Sequence, residues 1–358
     1  MSKADWIVVD TTGPEPLVVV QGSRPRDWRR LRNVLRGDEF KNLSALAEES
    51  VTERSTATRR FDCPVRRRPV DAIAIPALSP SGEVHAVALG FEGDSVSPRM
   101  GAFEWEHVRD APPRLWLSTE AMDILGMDER FRDRATYGPA DLFTRVIQLA
   151  DVAAILRSID PDTDGVEVGD LQVDVRGDDG AMTRIHYVYR RVDQPTGLRI
   201  RGVMVDITAS ADGVEMATSV LDAEVAQVAI SHLGVHGAVV DMRYAGFPYV
   251  VKWLTVHPEG MGHGVSTGQT PGIHGDDMEA AAQLYRDAIN GKTTNARLRI
   301  RRAGGGWLSL DTSAALINPV TCPNLLLVTM RAPGVAAQEV EVFPPITDIA
   351  PDELTPSG

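Results

Sequence analysis

Apolar residues recur at every second position through the middle of the chain. Leu171, Val173 and Val175 alternate with polar neighbours, and Gly177-Asp178-Asp179-Gly180 supplies a turn. Residues 182–190 follow, then a second turn over 193–197, then residues 198–207. Period-two runs joined by Gly/Asp turns predict an antiparallel meander with one covered face. A second meander is predicted over residues 296–302, 307–317 and 325–331, with turns at Gly304-Gly305-Gly306 and Asn318-Pro319. Before it, residues 276–289 are apolar at Met278, Ala281, Leu284, Tyr285 and Ile289, a helical spacing. Taking Arg114 and Gly237 as first strands and Gly202 and Leu325 as last strands, both offsets are about 123 residues. A constant offset predicts a duplicated module.

The N-terminal hundred residues follow another plan. Residues 6–9 and 17–20 read as strands, 26–35 and 40–49 as helices, and 72–78 as a strand running through Ser79-Pro80-Ser81-Gly82 into 84–91. Between the two meanders, Ala217, Leu221, Val225, Val228 and His232 mark one face of a helix over residues 213–233, about 30 Å long. Two roles are open for it: packing on its own domain, or connecting the domains and pairing with its mate in a homodimer. The heptads are too few for a coiled coil.

Several of these segments resemble known sensor domains. The run Gly202-Val-Met-Val-Asp206-Ile207-Thr208 is similar to the G-x-x-x-D-I-T ending of PAS domains. Gly101-Ala-Phe-Glu-Trp105, Leu115-Trp116-Leu117-Ser118 and Ala121-Met-Asp-Ile-Leu125-Gly126 resemble the opening of the same domain. Pro271-Gly-Ile-His274-Gly-Asp276-Asp277 resembles a PAS helix entry, although Thr329-Met330-Arg331 stands where D-I-T is expected, so the third segment reads as a divergent PAS domain. Residues 74–90 resemble the late strands of GAF domains, with an N-terminal PAS variant as the alternative. The whole pattern resembles an actinobacterial, mycobacterial-type family of triple sensor-domain, sensor-only proteins. That resemblance implies an α+β fold of three tandem antiparallel-sheet sensor domains (GAF-like, PAS-like, PAS-like) in a linear arrangement. Its expected boundaries are a GAF-like domain over 1–97, a PAS-like domain over 98–210, and a linking helix with a divergent PAS-like domain over 211–335. An acidic, proline-rich tail over 336–358 is expected to be disordered. The function implied is non-catalytic signal transduction, in which ligands or partners bind the sensors and a separate effector protein delivers the output. The resemblance assigns no ligand-binding residue.

Composition narrows the partners. The chain has 358 residues, enough for two or three domains, with 43% hydrophobic and 24% charged residues. A net charge of -13 argues against non-specific nucleic-acid binding. Arg66-Arg67-Arg68 reads as a solvated face. No apolar run approaches the ~20 residues that span a bilayer, and no secretory h-region opens the chain. Only Cys63 and Cys322 are present, so neither a disulfide framework nor a zinc cluster is expected, and the protein reads as cytoplasmic.

Candidate chemistry is sparse. Asp160-Pro-Asp162-Thr-Asp164-Gly165 begins like a calcium loop, but Leu171 stands where the bidentate Glu belongs, so an Asp/Gly turn is expected instead. His257, His263 and His274 crowd a Gly-rich stretch without the spacing of a metal or haem site. His232 and His236 are four apart, yet Gly234 and Gly237 end the helix between them. Trp105, Trp116, Trp253 and Trp307 fall in strand patterns and read as core. No flavin-adduct motif surrounds either cysteine, and no nucleophile elbow or phosphate loop occurs. No enzyme is expected, and two hypotheses remain. In the first, a sensor domain holds a small molecule. In the second, the cores are filled and the protein is a pure protein–protein interaction scaffold.

Overall fold

The computed structural model describes residues 6–63, 68–93, 96–108, 111–162, 167–195, 197–211, 213–243, 248–261, 272–302, 304–318, 320 and 322–333. Three antiparallel sheets with few helices make an α+β fold. The expected tail over 336–358 lies outside the described residues.

The first sheet is built from β1 (Ile7–Asp10), β2 (Leu17–Gln21) and β3 (Arg24–Arg30), then α1 (Leu31–Val34) and α2 (Gly37–Glu53), then β4 (Ala57–Cys63), β5 (Arg68–Leu78) and β6 (Val84–Phe91). Its order is β3-β2-β1-β6-β5-β4. Residues 26–35, read as a helix, are instead edge strand β3 followed by a single turn. Residues 24–30 pair with β2 at the sheet edge, where Pro25, which lacks an N–H, is tolerated. Strand β4 was not legible because Arg59 occupies an inward position; its guanidinium reaches Glu49 of α2 at 2.7 Å. Leu43, Leu46 and Ala47 of α2 cover one sheet face, packing on Val9, Val18, Ala74 and Leu89.

The second sheet follows from β7 (Met100–Val108), β8 (Arg114–Leu117), α3 (Thr119–Ile124), α4 (Pro139–Phe143), α5 (Leu149–Ser158), β9 (Val168–Arg176), β10 (Met182–Gln194) and β11 (Gly197–Asp206). Its order is β8-β7-β11-β10-β9. Ser118 caps α3, its hydroxyl accepting from the Ala121 N–H at 3.2 Å. The Asp206-Ile207-Thr208 run has a local role. The Asp206 carboxylate accepts from the Thr208 N–H (3.0 Å) and hydroxyl (2.6 Å), which ends β11 in a turn while Ile207 is buried.

After α6 (Gly213–His232), the third sheet comprises β12 (His236–Asp241), β13 (Tyr249–Trp253), α7 (Met278–Ile289), β14 (Thr294–Arg301), β15 (Trp307–Asn318) and β16 (Cys322–Arg331). Its order, β13-β12-β16-β15-β14, repeats that of the second sheet. The repeat is real in topology but not at one offset. β11 and β16 begin 125 positions apart, whereas β7 and β12 begin 136 apart. The first strand of the second sheet is therefore β7, and Arg114 opens the edge strand β8. The second sheet carries α3, α4 and α5 between its second and third strands, and the third sheet carries α7 there.

The sheets do not stand apart. Trp6, Val8, Val20, Ala86 and Ala88 of the first sheet meet Met100, Ala102, Val188, Val203 and Val205 of the second in one apolar cluster. Val239, Tyr249, Val251 and Leu325 of the third domain join the core of the second. Gly202, in the centre of β11, is required by close approach. A Cβ there would stand 2.3 Å from both Phe103 Cζ and the Val188 carbonyl. Gly202→Ala is expected to cost about 1–3 kcal/mol, seen as a lower urea midpoint with an unchanged m value. A wild-type midpoint would contradict this packing.

Candidate functional site

The three cores are filled differently. In the second domain, Phe103 stacks on Tyr187 at 4.4 Å, and Trp105 stacks on Phe143 at 5.9 Å. The Trp105 indole N–H donates to the Tyr187 hydroxyl at 3.0 Å, and burial pushes the Tyr187 phenol well above its usual range. In the first domain, Leu43, Leu46 and Leu89 are almost fully enclosed.

The third domain instead has an apolar cavity of about 110 Å³, open on one side, between α7 and its sheet. Val240, Met242 and Val250 form one wall, Leu284 and Tyr285 of α7 the roof, and Leu298, Ile300, Leu326 and Met330 the floor. The missing volume lies where Ala281 of α7 and Ala314 of β15 present small side chains. Among its polar lining groups, the Thr312 hydroxyl points to the Leu310 carbonyl at 3.4 Å. At ~24 cal/mol per Å³, a closed and dry space of this volume costs about 2.6 kcal/mol, which sets the upper bound for this one-sided cavity.

The sequence-selected histidines are not brought together. His257 lies against Trp253, ring centroids 5.7 Å apart. His274 meets Trp307 edge-on at 4.5 Å and accepts from the Asp276 N–H. His263 lies outside the described residues. His232 ends α6, and His236 sits in β12, its Nδ1 2.7 Å from the Val256 carbonyl oxygen. Asp160 accepts from the Asp162 N–H at 3.0 Å, the geometry of a turn, and Asp164 lies outside the described residues. Cys63 and Cys322 are buried free thiols. Trp105 and Trp253 are core, Trp116 is half-buried, and Trp307 is 42% exposed, contrary to the core expectation, because it sits at the turn end of β15. Arg68 opens β5 and is exposed, while Arg66 and Arg67 lie outside the described residues.

Sequence reading missed the polar seams between domains. Where the first and second sheets meet, Arg190 is buried and reaches Asp10 at 3.2 Å and Glu167 at 2.9 Å, its guanidinium lying against Gly13. Nearby, His85 places Nδ1 3.0 Å from the Gly202 carbonyl oxygen and Nε2 3.4 Å from Glu104 Oε1. Glu83, His85 and Glu104 have the donor set of a cation site. Arginines already hold both carboxylates: Arg199 pairs with Glu104, and Arg201 with Glu83 at 2.9 Å. Burial pushes the Glu104 carboxyl up, but hydrogen bonds from His85, Arg199 and Ser81 outweigh it and hold the group far below the usual range. The cluster clamps the first domain to the second.

At the second seam, Arg243 bridges Asp241 and Asp160, the latter at 2.6 Å, and the Tyr249 hydroxyl donates to Asp241 at 3.0 Å. Lys252, also buried, donates to the carbonyls of Phe143 (2.9 Å), Thr144 (3.3 Å) and Val146, at the C-terminal end of α4 and just beyond it. Burial lowers its pKa to about 8. In sequence these residues look like the solvated face of a strand; only the neighbouring domain makes them internal.

Residues 5–97 match the family model described as Rv3651-like, N-terminal. The crystal structure of an uncharacterized protein from Mycobacterium tuberculosis has a TM-score of 0.65 at 18% identity, covering 92% of this chain and 96% of that one. The two chains share a fold over nearly their full lengths, in agreement with the mycobacterial-type resemblance; neither finding names a GAF or PAS domain. A sensory box histidine kinase/response regulator from Burkholderia thailandensis E264 gives a TM-score of 0.26 at 19% identity, over 36% of this chain and 90% of that one. An RNA-binding light-oxygen-voltage receptor gives 0.24 at 12% identity, over 64% and 94%. Both scores are too low to carry an argument. No curated protein matches the chain.

The buried histidines make stability pH-dependent. His186 is wholly enclosed in β10, and neither ring nitrogen makes a hydrogen bond among the described residues; Nε2 is 3.8 Å from Asp170 Oδ2. Burial lowers the pKa of His186, with Asp170 opposing. Burial likewise lowers that of His107, where the hydrogen bond to the Ile159 carbonyl opposes. The unfolded chain therefore binds these protons first, so stability falls as pH drops below the ordinary value of 6.5. Asp151, raised to about 6 by burial, works the other way between there and 3.8. His186→Gln is expected to lose less stability than wild type between about pH 7 and 5, by at most ~1.4 kcal/mol per pH unit. Parallel denaturation profiles would contradict the buried-imidazole account.

Proposed function

We propose that this chain is a non-catalytic signal-transduction protein of the cytoplasm, built from one GAF-like and two PAS-like sensor domains. Its third domain takes a small molecule, and a separate effector protein delivers the output. The observation that carries this reading is the apolar cavity against α7, set beside an aromatic-filled second core. Cavities of this kind bind small apolar ligands, and the binding offsets the cost of the empty space. The non-catalytic part is supported by the interdomain clamps, which engage His85 with Glu104, Arg243 with Asp160, and Lys252 with the Phe143 carbonyl across the seams. Among the described residues, no helix is long and apolar enough to cross a membrane.

The exposed stripe on α6 favours a second reading, an interaction scaffold. Leu221, Val225 and Val228 are 60%, 61% and 58% exposed at steps of four and three. Three residues of this size fall well short of the ~800 Å² per partner of a stable interface, so these three alone do not hold a homodimer through residues 213–233.

Native mass spectrometry on gently purified protein tests the sensor reading. It is expected to show extra mass that disappears on denaturation. Ala281→Leu, which fills the cavity, is expected to abolish that mass and raise Tm. A bare-chain mass for wild type, with no Tm shift on adding small apolar compounds, would turn the search to the α6 stripe.

A further inference from the structure

The strands that wall the cavity also carry the seam with the second domain. Side chains alternate across a strand, so neighbours point to opposite faces, except that a bulge at Val251 turns Lys252 to the same side. Val240 and Val250 face the cavity, while Val239, Tyr249 and Val251 enter the core of the second domain. Asp241, wholly buried, holds Tyr249 and Arg243, and Arg243 in turn holds Asp160 at the end of α5. At the end of β13, the Trp253 N–H donates to the Thr144 hydroxyl at 3.3 Å, and Lys252 is clasped by the carbonyls that end α4. One layer of backbone thus separates the cavity from the charged seam. A close-packed, paired seam transmits small displacements because its partners have few alternative positions.

We propose that occupancy of the third-domain cavity and docking of the third domain on the second are thermodynamically linked through β12 and β13, with an uncharged apolar ring compound as the occupant. The proposal rests on the cavity being a ligand site. The occupant restores dispersion contacts that the wall lacks across empty space, and so holds β12 and β13 where the seam needs them. A charged occupant is disfavoured because the wall and floor are hydrocarbon and leave an ion unpaired. Linkage is reciprocal: the ligand tightens the seam, and a weakened seam weakens the ligand.

Benzene, which binds a dry engineered apolar cavity of about 150 Å³, is the probe, used with the full chain. Asp160→Asn removes a partner of Arg243 from the second domain without touching the cavity, and Lys252→Met removes the clasp. Each is expected to weaken benzene binding by about 5-fold or more, the lower end of typical coupling. In the wild type, benzene is expected to slow hydrogen exchange in peptides covering residues 139–147, which lie in the other domain. Equal benzene affinity in wild type and both variants, with unchanged exchange over 139–147, would overturn the linkage and leave the ligand site standing. Absence of benzene binding to the wild type would overturn both.

Discussion

The second sheet has apolar side chains on both of its faces, and the rest of the architecture follows from covering them. Trp105, Tyr187 and Ile200 face its own helices, while Ala102, Val188 and Val203 face the first domain. Neither set tolerates water. The first sheet, with Val8, Val20 and Ala88 on the face that α2 does not reach, supplies the matching surface. The two domains therefore share a core, and removing one would expose an apolar face of the other. The third domain docks less symmetrically, setting the outer faces of β12 and β13 against the core and α4 of the second domain.

Charged groups placed inside such seams have to be paired, because an isolated buried charge costs several kcal/mol. That explains why Arg190, Glu104, Arg243 and Lys252 each find partners in the opposite domain or at its carbonyls. Replacing such pairs by apolar residues is often neutral or stabilising in other proteins, so net stability is a weak reason for their presence. Their geometric effect is clearer: a sheet that slides out of register leaves charges unpaired, so the pairs fix one relative position of the domains.

Much of the fold was legible because the strands advertise themselves. The meanders, the helix over residues 213–233 and the α7 helix all appear near where periodicity places them. The misses have physical causes. Strand β4 hid behind inward-facing Arg59, and β3 was mistaken for a helix because Trp28, Leu31 and Leu35 imitate helical spacing. The offset of the repeat was misjudged because β8 resembles a first strand, although it lies at the sheet edge. Face-to-face packing left a readable signal: β6 is buried at all eight positions, and its run Val84-His-Ala-Val-Ala-Leu-Gly-Phe91 is nearly continuous in apolar residues. The cavity left almost none. An alanine at 281 or 314 is ordinary in a helix or strand, and only the distance between α7 and the sheet turns those small side chains into empty space.

The account stands on the third-domain cavity admitting a guest. Crystals of the full-length protein pressurised with xenon test this directly, since xenon enters dry apolar cavities and scatters strongly. The account predicts a xenon peak among Val240, Ala281, Ala314 and Leu326. A well-ordered third domain with no xenon in that space, its side chains having closed over it, would contradict it.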